Sequence, residues 1–183
     1  SGNYRVTVAT GTLPNGLTLV LSEDHSAPIV NVQLWYHVGS KNEKAGRTGF
    51  AHLFEHLMFK GSKNVRPEAH TSMVAAVGGQ TNAYTTDDET VFWETVPAQY
   101  LPIVLWLEAD RMATLWIDRE TFANEREVVK EERRLRVDNQ PFGRLNEIIY
   151  AHAFDVHPYK HPTIGSMQDL EAASVEDVRD FYR

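Results

Sequence analysis

Between residues 29 and 60 the hydrophobic pattern changes its period, which restricts the chain to folds that mix strands with helices. Residues 29–38 alternate. Val30, Val32, Leu34, Tyr36 and Val38 fall on one face of an extended strand, with Asn31, Gln33, Trp35 and His37 on the other. Residues 39–47 are polar and turn-like. In residues 48–60 the period becomes helical, and Phe50, Leu53, Phe54 and Leu57 form an apolar stripe that stops near Gly61.

The flanking chain extends this pattern. Residues 4–13 and 17–21 are rich in β-formers and flank Pro14-Asn15-Gly16, where Asn-Gly supplies the positive φ angles of a tight hairpin turn. Residues 67–77 predict a helix with Pro67 at its start and Gly78-Gly79 just past its end. Two strand-like runs follow, 81–86 and 90–96, joined through Asp87, Asp88 and Glu89. Helical stretches are expected at 98–115, 119–137 and 142–154, then a Pro-rich loop at 157–162 and a further helix over 175–182. Strands first and helices afterwards, with an antiparallel start, predict an α+β fold: a mainly antiparallel sheet packed against helices. One sheet is expected from the hairpin, residues 29–38 and the two later runs. The chain reads as a single domain over 1–183, ending inside an amphipathic helix without a cap signal, which suggests truncation at that end.

Composition narrows the chemistry. There is no cysteine, which excludes disulfides, thiol catalysis and thiolate-ligated metals, so any metal must rest on histidine and carboxylate. A net charge of −7 disfavours nonspecific nucleic-acid binding. No apolar run approaches the roughly 20 residues of a membrane-spanning helix, and residues 1–10 lack the apolar stretch of a signal peptide.

The chemistry concentrates in His52-Leu53-Phe54-Glu55-His56. Positions i and i+4 lie one turn apart on a helix, so both imidazoles reach one ion, and Glu55 can address a water on it. Zinc suits this pattern, because it takes neutral nitrogen ligands and keeps an open position for water. The arrangement inverts the usual His-Glu-x-x-His order of zinc proteases. Two histidines leave zinc short of a third protein ligand. The helix over 119–137 offers Glu125 and Glu132, seven residues apart and therefore on one face, with Val128 and Val129 on nearby rows. Glu127, Lys130, Glu131, Arg133 and Arg134 are expected to point to solvent. His25 and His70 read as surface residues, His37 as half-exposed, and His157 and His161 as parts of a structural loop. Trp93, Trp106 and Trp116 read as core.

Several further segments occur together and in order: Leu13-Pro14-Asn15-Gly16-Leu17, residues 49–61 (GFAHLFEHLMFKG), Gly78-Gly79 before Asn82-Ala83-Tyr84-Thr85, residues 124–132 (NEREVVKEE), His157-Pro158-Tyr159 and Ile164-Gly165. With these the chain resembles the N-terminal domain of the inverted-motif zinc peptidases, the family of pitrilysin, insulin-degrading enzyme and mitochondrial processing peptidase. The resemblance implies one zinc ion held by His52, His56 and Glu132, since the family's third ligand lies about 76 residues past the second histidine and 132 − 56 = 76. It implies a supporting catalytic role for Glu125, with Glu55 as the general base. Glu131, the local rival as ligand, is rotated about 100° from the Glu125 face. The resemblance also implies that Asn82, Ala83, Tyr84 and Thr85 form an edge strand to which an extended peptide or unfolded polypeptide adds. It further implies a multi-domain endopeptidase completed by a homologous second domain or subunit, so that the fragment alone hydrolyses poorly. The alternative is a noncatalytic binding or assembly subunit of the same fold. A purely structural zinc site would leave Glu55 without a purpose.

Overall fold

The computed structural model describes residues 6–182. Tyr4 and Arg5 of the expected first strand, and the terminal Arg183, lie outside the described residues. The fold is α+β, with five strands and seven α-helices among the described residues.

β1 (Ala9–Thr12) and β2 (Thr18–Leu21) form the opening hairpin, with Thr12 opposite Thr18. Its turn differs from the expected one. Only Gly16 has positive φ, at 88°. The Gly16 N–H donates to the Leu13 carbonyl at 2.9 Å and the Leu13 N–H to the Leu17 carbonyl at 2.8 Å, a three-residue loop with glycine in the left-handed position.

β3 (Ile29–Tyr36), β4 (Gln80–Thr85) and β5 (Thr90–Pro97) form a separate antiparallel sheet in the order β3-β5-β4. The expected single sheet is therefore two. The hairpin is solvent-exposed along nearly its whole length, with Val20 and Leu21 uncovered, so no buried face holds it against β3. In β3 the alternation is as expected, with Val30, Val32, Leu34 and Tyr36 turned inward. β5, in the centre, is largely buried.

Two apolar cores result. α2 (Ala69–Ala76) and α3 (Leu101–Thr114) cover one sheet face, where Val74, Val104 and Leu107 meet Val96, Val30 and Val32. The second core joins α1 (Phe50–Leu57), α4 (Arg119–Arg133), α6 (Met167–Ala172) and α7 (Val175–Tyr182) through Leu53, Leu57, Phe122, Val129, Leu170 and Val178. α1 packs against β4 as well as α4 and α7, and so lies between the two cores. α4 is capped by Asp118, which accepts from the Thr121 N–H at 2.8 Å, and it runs on into a π-helical turn over Arg134–Asp138. α5 (Leu145–Ala153) buries no residue completely. α6 was not expected from periodicity, being six residues long; its signal is Ser166, whose hydroxyl accepts from the Asp169 N–H at 3.0 Å.

Several expected surface and core positions are exchanged. His70 is buried, because its Nε2 lies 3.1 Å from Glu94 Oε1 on β5. Lys130 and Arg133 are buried too: Lys130 meets Glu127 and Glu171, and Arg133 meets Glu147. Trp106 and Trp116 are exposed. His25 is at the surface as expected, whereas His37, expected half-exposed on the strand, lies past the end of β3 and is exposed.

Candidate metal centre

α1 buries Phe50, Leu53 and Leu57, and that choice of face turns His52, Glu55 and His56 into a cleft of about 600 Å³. α4 forms the opposite wall with Glu125, Val128 and Glu132, and β4 the third side with Asn82, Ala83, Tyr84 and Thr85. All nine residues singled out from the sequence line this one cleft.

Three of these side chains stand close enough together to hold one metal ion. Glu132 Oε2 lies 3.6 Å from His52 Nε2 and 3.3 Å from His56 Nε2. Two imidazole nitrogens and a carboxylate oxygen facing one another at these separations fit zinc, whose bonds to such atoms are about 2.0–2.2 Å long. Glu131, the rival acid, pairs instead with Arg134 at 2.9 Å on the outer side of α4. The other ring nitrogen of His56 is 3.4 Å from Glu125 Oε2, and Glu125 Oε1 is 3.1 Å from Lys60 Nζ. Glu125 therefore orients His56 from behind, as carboxylates do for metal-binding imidazoles. His52 Nδ1 is buried without such a partner.

Electrostatics separate the groups. Burial, and then the neighbouring His56, lower the His52 pKa to about 4, so its ring is neutral and ready to ligate. Burial also pulls His56 down, but contacts with Glu125, Glu132 and Glu55 outweigh it and leave it raised. For Glu125 burial pushes upward, and the hydrogen bonds with His56 and Lys60 reverse the shift and hold it below the ordinary value. Glu55 is raised by burial despite a hydrogen bond from the Thr85 hydroxyl. A raised carboxylate is a better proton acceptor, as a general base requires.

Three features escaped the sequence reading. Arg136 Nη1 lies 2.6 Å from Glu132 Oε1, leaving Oε2 to face the histidines. Lys60 supports Glu125, and Thr85 bonds Glu55 rather than only offering backbone. Arg136 is four residues past Glu132, a spacing that brings helical side chains together, whereas Lys60 reaches Glu125 across the cleft from beyond the end of α1.

A second group of ligand type exists among the described residues: His70, Glu94 and Glu108, all buried. Arg111 donates to both carboxylates there, and a guanidinium bound to the would-be ligands makes this an internal ion network rather than a metal site.

Residues 18–167 match the family described as Insulinase (Peptidase family M16). The zinc protease PqqE of Helicobacter pylori is 37% identical over 172 residues, which are 93% of this chain and 39% of that protein. The crystal structure of a protease from Helicobacter pylori superimposes with a TM-score of 0.95 at 36% identity, covering 98% of this chain and 43% of that one. The periplasmic protease PqqL from Escherichia coli gives 0.85 at 27% identity, over 96% of this chain and 20% of that one. The chain spans about two fifths of the length of the first curated relatives it matches. With the match covering most of the sequence, the chain belongs to Peptidase family M16, the insulinase family.

Proposed function

We propose that this chain is the metal-bearing domain of a zinc-dependent endopeptidase. One zinc is held by His52, His56 and Glu132, and peptide bonds are hydrolysed with Glu55 as general base. The observation that carries the reading is the convergence of both Nε2 atoms on Glu132 Oε2 in a cleft that also contains Glu55. When bound, zinc supplies a Lewis acid for the scissile carbonyl and lowers the pKa of the attacking water. Glu55 takes a proton from that water and returns it to the leaving amine, while the Thr85 hydroxyl fixes the rotamer of its carboxylate. Glu125 holds His56 in the tautomer that presents Nε2 to the cleft.

β4 is an edge strand on its cleft side, because β5 pairs only with its other side. Residues Asn82, Ala83, Tyr84 and Thr85 are the proposed docking edge for an extended peptide or unfolded polypeptide, which adds as a further strand through backbone hydrogen bonds. The single domain is proposed to work within a longer enzyme with a homologous second domain or subunit; the greater length of the relatives supports this. Among the described residues no helix is long and apolar enough to cross a membrane.

The test uses the intact protein. Glu55→Gln retains stoichiometric zinc and loses peptide hydrolysis by about 10²–10⁴-fold, whereas His56→Ala loses zinc and activity together. Near-normal turnover in Glu55→Gln sinks the general-base role, and full zinc content in His56→Ala sinks the ligand set.

A further inference from the structure

α1 begins without a cap of its own. Gly49 occupies the N-cap with φ 90° and has no side chain to accept from the first turn, whose N–H groups have no partner within the helix. Glu43 fills the gap from outside the helix. Its Oε2 accepts from the Gly49 N–H at 3.0 Å and its Oε1 from the Ala51 N–H at 2.8 Å. The side chain is 0% exposed. Such burial pushes the carboxyl up to about 8 against the pull of the Ala51, Gly49 and Phe50 backbone donors.

The segment that carries Glu43 is itself fixed to the sheet. The Ser40 N–H donates to the Thr86 carbonyl at 3.1 Å and the Lys41 N–H to the Asp87 carbonyl at 2.9 Å, directly after β4. Gly39 lies so close to this turn that a Cβ would stand 2.5 Å from the Thr86 carbonyl oxygen. On its far side Glu43 faces His161, whose Nδ1 is buried, unpartnered and 3.7 Å from Glu43 Oε2. A rigid path thus runs from the end of β4, where Thr85 bonds Glu55, through residues 39–43 to the first turn of the helix bearing His52, Glu55 and His56.

We propose that Glu43 is a positioning residue for the metal centre: its carboxyl group seats α1 against the end of β4 and so aims His52, Glu55 and His56 at one point facing Glu132. This rests on the zinc-site reading above. Loss of an ordinary stabilising cap lowers the melting temperature and leaves the site unchanged. A positioning residue also alters the site in molecules that are fully folded.

The experiment measures zinc affinity by competition with a chromophoric chelator, and the visible spectrum of the cobalt-substituted intact protein, for wild type and Glu43→Gln. The variant keeps the shape but replaces one of the two acceptor oxygens with an amide nitrogen that only donates. Expected are an affinity about 10–100-fold weaker, the range for partners that orient metal ligands, and a changed cobalt spectrum. Unchanged affinity and spectrum, whatever the melting temperature, overturn the proposal. Absence of stoichiometric zinc binding in wild type overturns the zinc-site reading instead. A measurement on the wild type covers the case in which the variant does not fold: amide exchange at Gly49 and Ala51 with and without zinc. Protection in both states is expected. Protection only after zinc addition shows that the metal, not Glu43, seats the helix.

Discussion

Arg111→Met tests the ion network buried beneath the sheet. Arg111 is 2% exposed, donates Nε to Glu108 Oε2 at 2.9 Å and Nη2 to Glu94 Oε1 at 3.2 Å, and its guanidinium lies over the Phe92 ring at 4.5 Å. One cation serves two buried carboxylates. Burial, and then the contact with Glu94, push Glu108 up to about 8, while burial and then the charge of Arg111 lower His70 to about 4. Near neutrality the Glu108 carboxyl and the His70 ring are thus both largely uncharged beside the guanidinium. Methionine fills similar space but leaves the buried Glu94 and Glu108 side chains without their donor cation, a loss of about 3–5 kcal/mol for a broken buried pair. The sign with pH follows from the same groups. A carboxyl whose folded pKa lies above its unfolded value favours the fold at low pH and loses that contribution as pH rises towards the folded value. Removing Arg111 raises Glu108 further, so the destabilisation is constant below about pH 8 and grows as pH rises above it. Urea denaturation near pH 6 and pH 9 measures it, and Glu94→Gln with Glu108→Gln added to Arg111→Met recovers part of the loss. A difference below about 1 kcal/mol near pH 9, or one independent of pH, refutes the argument that the guanidinium neutralises a buried charge.

Glu125→Gln weakens zinc binding by about 10–100-fold, read by chelator competition, because His56 loses its charged partner and Lys60 a counter-ion. Leu53→Ala, at a fully buried position between the two histidines, lowers stability by about 2–5 kcal/mol in denaturant titration. The 183-residue chain alone cleaves a fluorogenic peptide far less efficiently than a longer intact protein, since one wall positions substrate poorly; equal kcat/KM contradicts this.

What the sequence disclosed was mostly local. His52 and His56 are legible as a pair because four residues are about one helical turn, and the β3 alternation is legible because strand side chains repeat every two. Glu132 required the family resemblance, since periodicity alone offered Glu125 equally. The errors concern pairings across the chain. His70 looked solvated because its partners, Glu94 and Glu108, lie 24 and 38 residues away (94 − 70 and 108 − 70). The clue was available in those acids themselves, which sit inside the apolar runs VFWETV and LWLEADRM and needed a buried partner. Arg133 looked solvated for the same reason, its contacts being Glu147 and the Gly165 carbonyl. The separation of the hairpin from the main sheet was not legible, because strand patterns specify faces and not neighbours.

Gly165 meets Gly49 so closely that a Cβ on Gly165 would stand 2.6 Å from the Gly49 Cα, and the two positions are 165 − 49 = 116 residues apart. On the ribosome this interval corresponds to about 6–23 s at roughly 5–20 residues per second. Throughout it the helix bearing His52 and His56 has neither the loop that closes over its first turn nor, for most of the time, Glu132. On the proposed ligand set, metal capture is therefore expected late in the synthesis of this domain. A nascent chain stalled before residue 132 presents only the paired histidines, and one stalled between 132 and 165 has all three proposed ligands on an unsealed helix. Arrested chains of graded length, scored for retained zinc, resolve the two stages.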